Sequence, residues 1–138
     1  MASFTCIAPL GKTTLLDVLS RRTSQGRWSG DILVNGASIR TIGSRYSNMV
    51  GFCTQQDTHL STATVHESLL FSARLRLPSN IPDDIIQQHV IEVMDVMELG
   101  SLSHRLVGDT QSPGLSPGEL KRLTIAVELV ANPSILFL

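Results

Sequence analysis

The chain has 138 residues, enough for one core of ordinary domain size. Hydrophobic residues make up 42% and charged residues 17%, with a net charge of −1, so nothing in the balance favours nucleic acid or another polyanion as partner. No apolar run reaches the ~20 residues of a membrane span, and the start lacks the basic and long apolar regions of a signal peptide.

In chain order, Ser3 to Ile7 read as a short apolar strand. Gly-Lys-Thr-Thr at 11–14 then opens a helical stretch with Leu15, Leu16 and Leu19 at helix spacing. A polar loop carries Trp28, read as a packing anchor, and "DILVNG" reads as a strand closed by an Asn-Gly turn. "MVGFCTQQD" is a further strand running into a polar turn. Thr64-x-x-Glu67 is a capping box, and the helix behind it is expected to run to about Leu77, before Pro78. A second helix follows Pro82, with Ile86, Val90, Val93 and Met97 on one face and Gly100 as its stop. After a loop from Leu102 to Leu115, Ser116-Pro117-Gly118-Glu119 is another capping box with proline at the first helical position. Leu120, Leu123, Val127 and Val130 form that helix's buried stripe, and Asn132-Pro133 ends it. "SILFL" is a wholly apolar run, as expected of a strand buried on both faces of a parallel sheet. The order predicts an α/β fold with a helical insertion.

Two stretches carry chemistry. Backbone N–H groups at a helix start attract phosphate, so Gly11, Lys12, Thr13 and Thr14 are candidate nucleotide-binding residues. Lys12 would reach the β- and γ-phosphates, Thr13 would offer its hydroxyl to Mg²⁺, and Thr14 would reach the α-phosphate side. A chance Gly-Lys-Thr at a helix start remains the alternative for this motif alone. The loop in front departs from the phosphate-loop pattern: Cys6 stands where glycine is wanted, Pro9 has no N–H to donate, and Leu10 adds bulk. Cys6 and Cys53 match no zinc or Cys-x-x-Cys spacing and read as buried thiols. The four histidines show no ligand spacing, and neither Asp17 nor Asp57 reads as a catalytic acid.

The second stretch is "LSPGE", Leu115 to Glu119, followed by "LKRLTIAVELVANPSILFL". It resembles the signature segment of ABC (ATP-binding-cassette) transporter ATPases, usually Leu-Ser-Gly-Gly-Gln/Glu. With "GKTTLLDVL" in front and "VGFCTQQD" between, order and spacing resemble that family over residues 11 to 138. "TVHESLLFSARLRLP" and "KRLTIAVELVANPSILFL" look most like its G-type, pleiotropic-drug-resistance branch. The resemblance implies a P-loop NTPase core with a parallel sheet and an inserted helical subdomain, here from about residue 57 to 113. It implies ATP and Mg²⁺ as cofactors, with Gln55 (alternatively Gln56) joining Thr13 around the metal. It also implies a head-to-tail pair with a second ATP-binding domain, in which Ser116, Pro117, Gly118 and Glu119 meet the nucleotide held by the partner. A transmembrane domain would be the other partner, placing the chain at the cytoplasmic face of a membrane.

The family places Asp-Glu after a strand like "SILFL", and a switch histidine further on; this sequence stops at Leu138. The expectation is therefore an incomplete ATP-binding domain of an exporter, without useful turnover as written. The alternative is a non-catalytic or regulatory module that binds nucleotide weakly or pairs with an intact domain.

Overall fold

Gly11 leads into the first helix with a left-handed backbone, φ +90°, where a side chain would be strained. The structure, a computed structural model, describes residues 11–23, 27, 29–109 and 113–138. The predicted strand at Ser3 to Ile7 and the readings of Cys6, Pro9, Leu10 and Trp28 lie outside them. Helix α1 runs Lys12–Leu19. Leu16 and Leu19 are half-buried, but Leu15 is 58% exposed: it stands in the first turn beside the exposed Thr13 and Thr14, before the helix turns inward. α1 ends by reversing through Arg21 (φ +58°). The amides of Arg21 and Arg22 donate back to Val18 O and Asp17 O at 3.1 and 2.9 Å, the Schellman pattern.

Asn35 and Gly36 both take positive φ, +49° and +81°, and fold β1 (Leu33–Val34) antiparallel onto β2 (Ala37–Ser38). This is the hairpin the Asn-Gly step predicts. Two short helices follow that the sequence reading passes over, α2 (Ile39–Ile42), capped by Ser38, and α3 (Ser44–Met49), parted by Gly43. They bury Ile39 and Tyr46, each 1% exposed, and the Tyr46 hydroxyl donates to Leu19 O at 2.6 Å. The chain divides into two compact units, one up to Val50 and one over Gly51–Leu136, with Phe137 and Leu138 shared out between them.

β3 (Val50–Phe52) pairs in parallel with β4 (Ile135–Phe137). Gly51 is buried there; a side chain would press on Leu136 and Pro133. β4 is half-buried rather than buried on both faces, because among the described residues it has a single neighbouring strand. The core is a three-helix cluster of α4 (Val65–Arg76), α5 (Asp83–Val96) and α6 (Pro117–Leu129). Val65, Leu69, Val90, Leu99, Leu123, Ala126 and Val130 are wholly buried in it. Both predicted capping boxes form: Thr64 and Ser116 each accept from the amide three residues on, and Glu67 and Glu119 reach back to the cap's own amide.

The end of α5 differs from the expected stop at Gly100. The left-handed residue is Glu98 (φ +55°); Glu98 and Leu99 donate to Asp95 O and Met94 O at 3.1 and 2.8 Å. Closing the buried pair Met94 and Leu99 outweighs the cost of a side chain at positive φ. Gly100 instead opens a short 3₁₀ turn, Gly100–Leu102.

Candidate functional site

The starts of the four longer helices differ in one respect. α4 and α6 close theirs with capping boxes, α5 carries Asp83 and Asp84 in its first turn, but α1 has no acidic residue there and no side-chain cap. Gly11 is exposed, and the space where a Cβ would project is open. Thr13 and Thr14 are exposed on the same turn. A helix start with no side-chain cap and no acidic residue in its first turn attracts an anion through the partial positive charge of its backbone dipoles. Exposed threonine hydroxyls are hard oxygen donors, of the kind Mg²⁺ takes. The residues at 11–14 thus fit a magnesium–triphosphate. They belong to the first unit; Gln55 and Ser116 to Glu119 belong to the second.

Gln55 lies in the turn after β3, and both it and Gln56 are exposed. The Thr54 hydroxyl donates to Gln56 O at 2.6 Å and tightens the turn. α6 holds this segment from below. Lys121 Nζ donates to Thr54 O at 2.9 Å and Gln55 O at 3.5 Å, and pairs with Asp57 Oδ1 at 3.2 Å. The Thr124 hydroxyl lies 2.6 Å from the same Asp57 oxygen, and His59 Nε2 lies 2.8 Å from Thr124 Oγ1. Burial alone would push the Asp57 carboxyl up; the Thr124 hydroxyl and the Lys121 ammonium outweigh it and hold the group below its ordinary range. Burial pushes the His59 imidazole down, partly offset by Asp57. Cys53 in the same strand-to-turn segment is a half-buried free thiol, raised by burial and then by Glu128.

Ser116, Pro117 and Gly118 are exposed at the start of α6, and a side chain added at Gly118 would meet nothing. The loop before them is held from two sides. Arg105 Nη2 donates to Gly114 O at 2.7 Å, and its other terminal nitrogen lies 3.8 Å from Glu119. Leu115 N donates to Val107 O at 2.9 Å, and Gly114 packs so closely on Val107 and Gly108 that no side chain fits. Glu119 is held below its ordinary range by the Ser116 amide and hydroxyl. Sequence reasoning missed Arg105, Lys121 and Thr124. The one signal available was the spacing of Lys121, Thr124 and Glu128 along α6, a polar stripe at i, i+3 and i+7.

A helix start at Gly-Lys-Thr without a side-chain cap, followed at the expected distances by a turn glutamine and by Leu-Ser-Pro-Gly-Glu with Ser116 to Gly118 exposed, is the order of an ATP-binding cassette. A sequence model of the ABC transporter family matches residues 8–138, and the chain belongs to that family, whose domain binds ATP. The chain is 48% identical over 132 residues to ABC transporter G family member 32 of Arabidopsis thaliana. To Pleiotropic drug resistance protein TUR2 of Spirodela polyrhiza it is 48% identical over 128 residues, and to Pleiotropic drug resistance protein 1 of Nicotiana tabacum 45% over 132. These matches cover 96%, 93% and 96% of this chain and 9% of the length of each relative.

Proposed function

We propose that the chain is part of the ATP-binding domain of a G-type exporter, in which binding of MgATP drives closure against a second such domain. The observation that carries this reading is the start of α1, the one of the four longer helices among the described residues whose first turn has neither side-chain cap nor acid. Gly11, Lys12, Thr13 and Thr14 would hold the phosphates and Thr13, with Gln55, the metal. MgATP bound there would supply the triphosphate charge and the metal, which these residues would hold. Ser116 and Gly118 stand exposed to meet nucleotide held by the partner, through a hydroxyl and the N–H groups of a helix start. Pro117 removes one donor there without cost to the helix, because an N1 amide has no intrahelical acceptor.

The partner in the membrane would dock on α4. The exposed side chains of Leu60, Phe71 and Leu75, with Ala63 and Val127, line a groove of about 640 Å³ beside that helix. No helix among the described residues is long and apolar enough to cross a membrane.

Titration with MgATP tests the reading. Weak, millimolar binding is expected, abolished by Lys12→Ala and tightened at least about tenfold by joint Cys6→Gly and Pro9→Gly, which restore glycine freedom and an amide donor to the loop. Binding that Lys12→Ala leaves unchanged, or none even with the repaired loop, would overturn it.

A further inference from the structure

A net charge of −1 hides an uneven distribution. Up to Val50 the chain carries six basic residues against two acidic ones; from Gly51 on it carries five against ten. Of the first six, Lys12 opens α1 and the others are arginines. Arg21 and Arg22 follow α1, Arg40 lies in α2 and Arg45 in α3. Two contacts bring these three helices together at one corner of the first unit. The Tyr46 hydroxyl of α3 donates to Leu19 O of α1 at 2.6 Å, and Arg21 Nη1 donates to Gly43 O, between α2 and α3, at 3.4 Å. All four arginines are exposed.

Arginine behind a helix often serves to bond its last carbonyls. Here other groups take them. Asp17 O accepts from Arg22 N at 2.9 Å and Ser20 Oγ at 3.2 Å, Val18 O from Arg21 N at 3.1 Å, and Leu19 O from Tyr46. The guanidinium groups are thus not needed to finish α1. Asp17 and Asp31 are the only acids before Val50, and Asp31 Oδ1 accepts from Ser38 Oγ at 2.7 Å and Ile32 N at 3.1 Å. Two carboxylates cannot neutralise four guanidinium groups. We propose that this corner binds a compact ligand carrying several phosphate groups, met either free or as a lipid headgroup. Guanidinium forks match phosphate oxygens in pairs, where lysines would act as point charges. Thr41, Ser44 and Ser47 add exposed hydroxyls on α2 and α3. Convergence on one junction suits a small polyanion, whereas a duplex calls for a stripe of cations along a face. Arg21 lies beyond the far end of α1 from Lys12, a rise of about 13 Å along the helix, so the site is separate from the helix start and does not rest on the nucleotide-binding reading.

Calorimetric titration with inositol hexakisphosphate tests this in four versions of the chain: unmodified, Arg45→Gln, joint Arg21→Gln and Arg45→Gln, and Lys12→Ala. The unmodified chain should bind the probe, at least about tenfold more weakly in about 300 mM than in about 50 mM NaCl. Arg45→Gln is expected to weaken binding about fivefold and the joint change at least about twentyfold. The Tm of Arg45→Gln should stay within about 2 °C, because the side chain is exposed. Lys12→Ala, which removes one charge at the other end of α1, should leave binding within about twofold. Sedimentation with phosphatidylcholine vesicles, plain or carrying phosphatidylinositol bisphosphate, then separates the two sources. Pelleting with the bisphosphate vesicles alone, reversed by inositol hexakisphosphate, supports the site and makes the ligand a headgroup. Binding of the free probe without pelleting supports the site and makes the ligand soluble. No binding of the probe at low salt overturns the proposal, as does full binding in Arg45→Gln. A loss in Lys12→Ala as large as in Arg45→Gln overturns it by moving the anion to the start of α1. Tighter binding of a DNA duplex of about 20 base pairs at equal salt overturns it in favour of nucleic acid.

Discussion

Thr124 has one hydroxyl hydrogen and two acceptors in reach, Asp57 Oδ1 at 2.6 Å and Leu120 O at 3.1 Å. The shorter, charge-assisted bond takes it, so the contact with His59 at 2.8 Å must run the other way, with Nε2 donating. That arrangement suits the neutral imidazole with its proton on Nε2, and His59 is already held below its ordinary value of 6.5 by burial. The sign of the pH effect follows. On acidification the unfolded chain takes up the His59 proton first, near pH 6.5, and the folded chain only later. The stabilisation is complete above the unfolded value and is lost as pH falls through the folded one. Asp57 acts with the same sign further down, below its ordinary value of 3.8. His59→Gln, which keeps a donor for Thr124 but does not titrate, is expected to show a smaller drop in Tm between about pH 7.5 and 5.5 than the unmodified chain. Equal drops in the two would remove His59 as the source.

At the scale of elements, α4 separates local from tertiary contributions within one helix. Its first turn is satisfied three ways: Val65 N and His66 N donate to Arg105 O and Ser103 O, and Glu67 N to the Thr64 hydroxyl. Thr64→Ala removes only the last and should lower the unfolding free energy by about 1 kcal/mol. Leu69→Ala, one turn along and 0% exposed, opens a cavity and should lower it by about 3 kcal/mol. Urea titration distinguishes the two; equal losses would mean that the cap holds α4 in place as much as the packing does. The same contrast explains what could be read from the sequence. Capping boxes at Thr64 and Ser116 and the Asn35-Gly36 hairpin were legible because every partner lies within a few positions. α2 and α3 were not, since four to six residues contain too little periodicity to register. The end of α5 was misplaced because a glycine two positions on looked the better reversal point than Glu98. For the site, Gly11 to Thr14 and the Ser116 start could be located by motif. The hold of Lys121 on Thr54 and Asp57 could not, because its partners sit 67 and 64 positions away and no local rule names them.

For the whole molecule, the buried apolar groups concentrate where α4, α5 and α6 meet. Large apolar side chains nevertheless remain outside: Leu60 and Leu75 are each 69% exposed and Phe71 is 67% exposed, all along one groove. A rimmed apolar strip of this kind is an interaction surface or an aggregation liability. Joint Phe71→Ser and Leu75→Ser should therefore reduce self-association of the free chain, read by light scattering across a dilution series. Its Tm should stay within about 2 °C, because neither side chain belongs to the buried cluster. Undiminished scattering would place the sticky surface elsewhere.

Such a strip also has a bearing on supply inside a cell. A copy made in excess, with nothing seated on Leu60, Phe71 and Leu75, presents the kind of greasy stretch that chaperones and proteases sort by. The abundance of this polypeptide would then be metered by how much of that strip is covered, without any dedicated sensor.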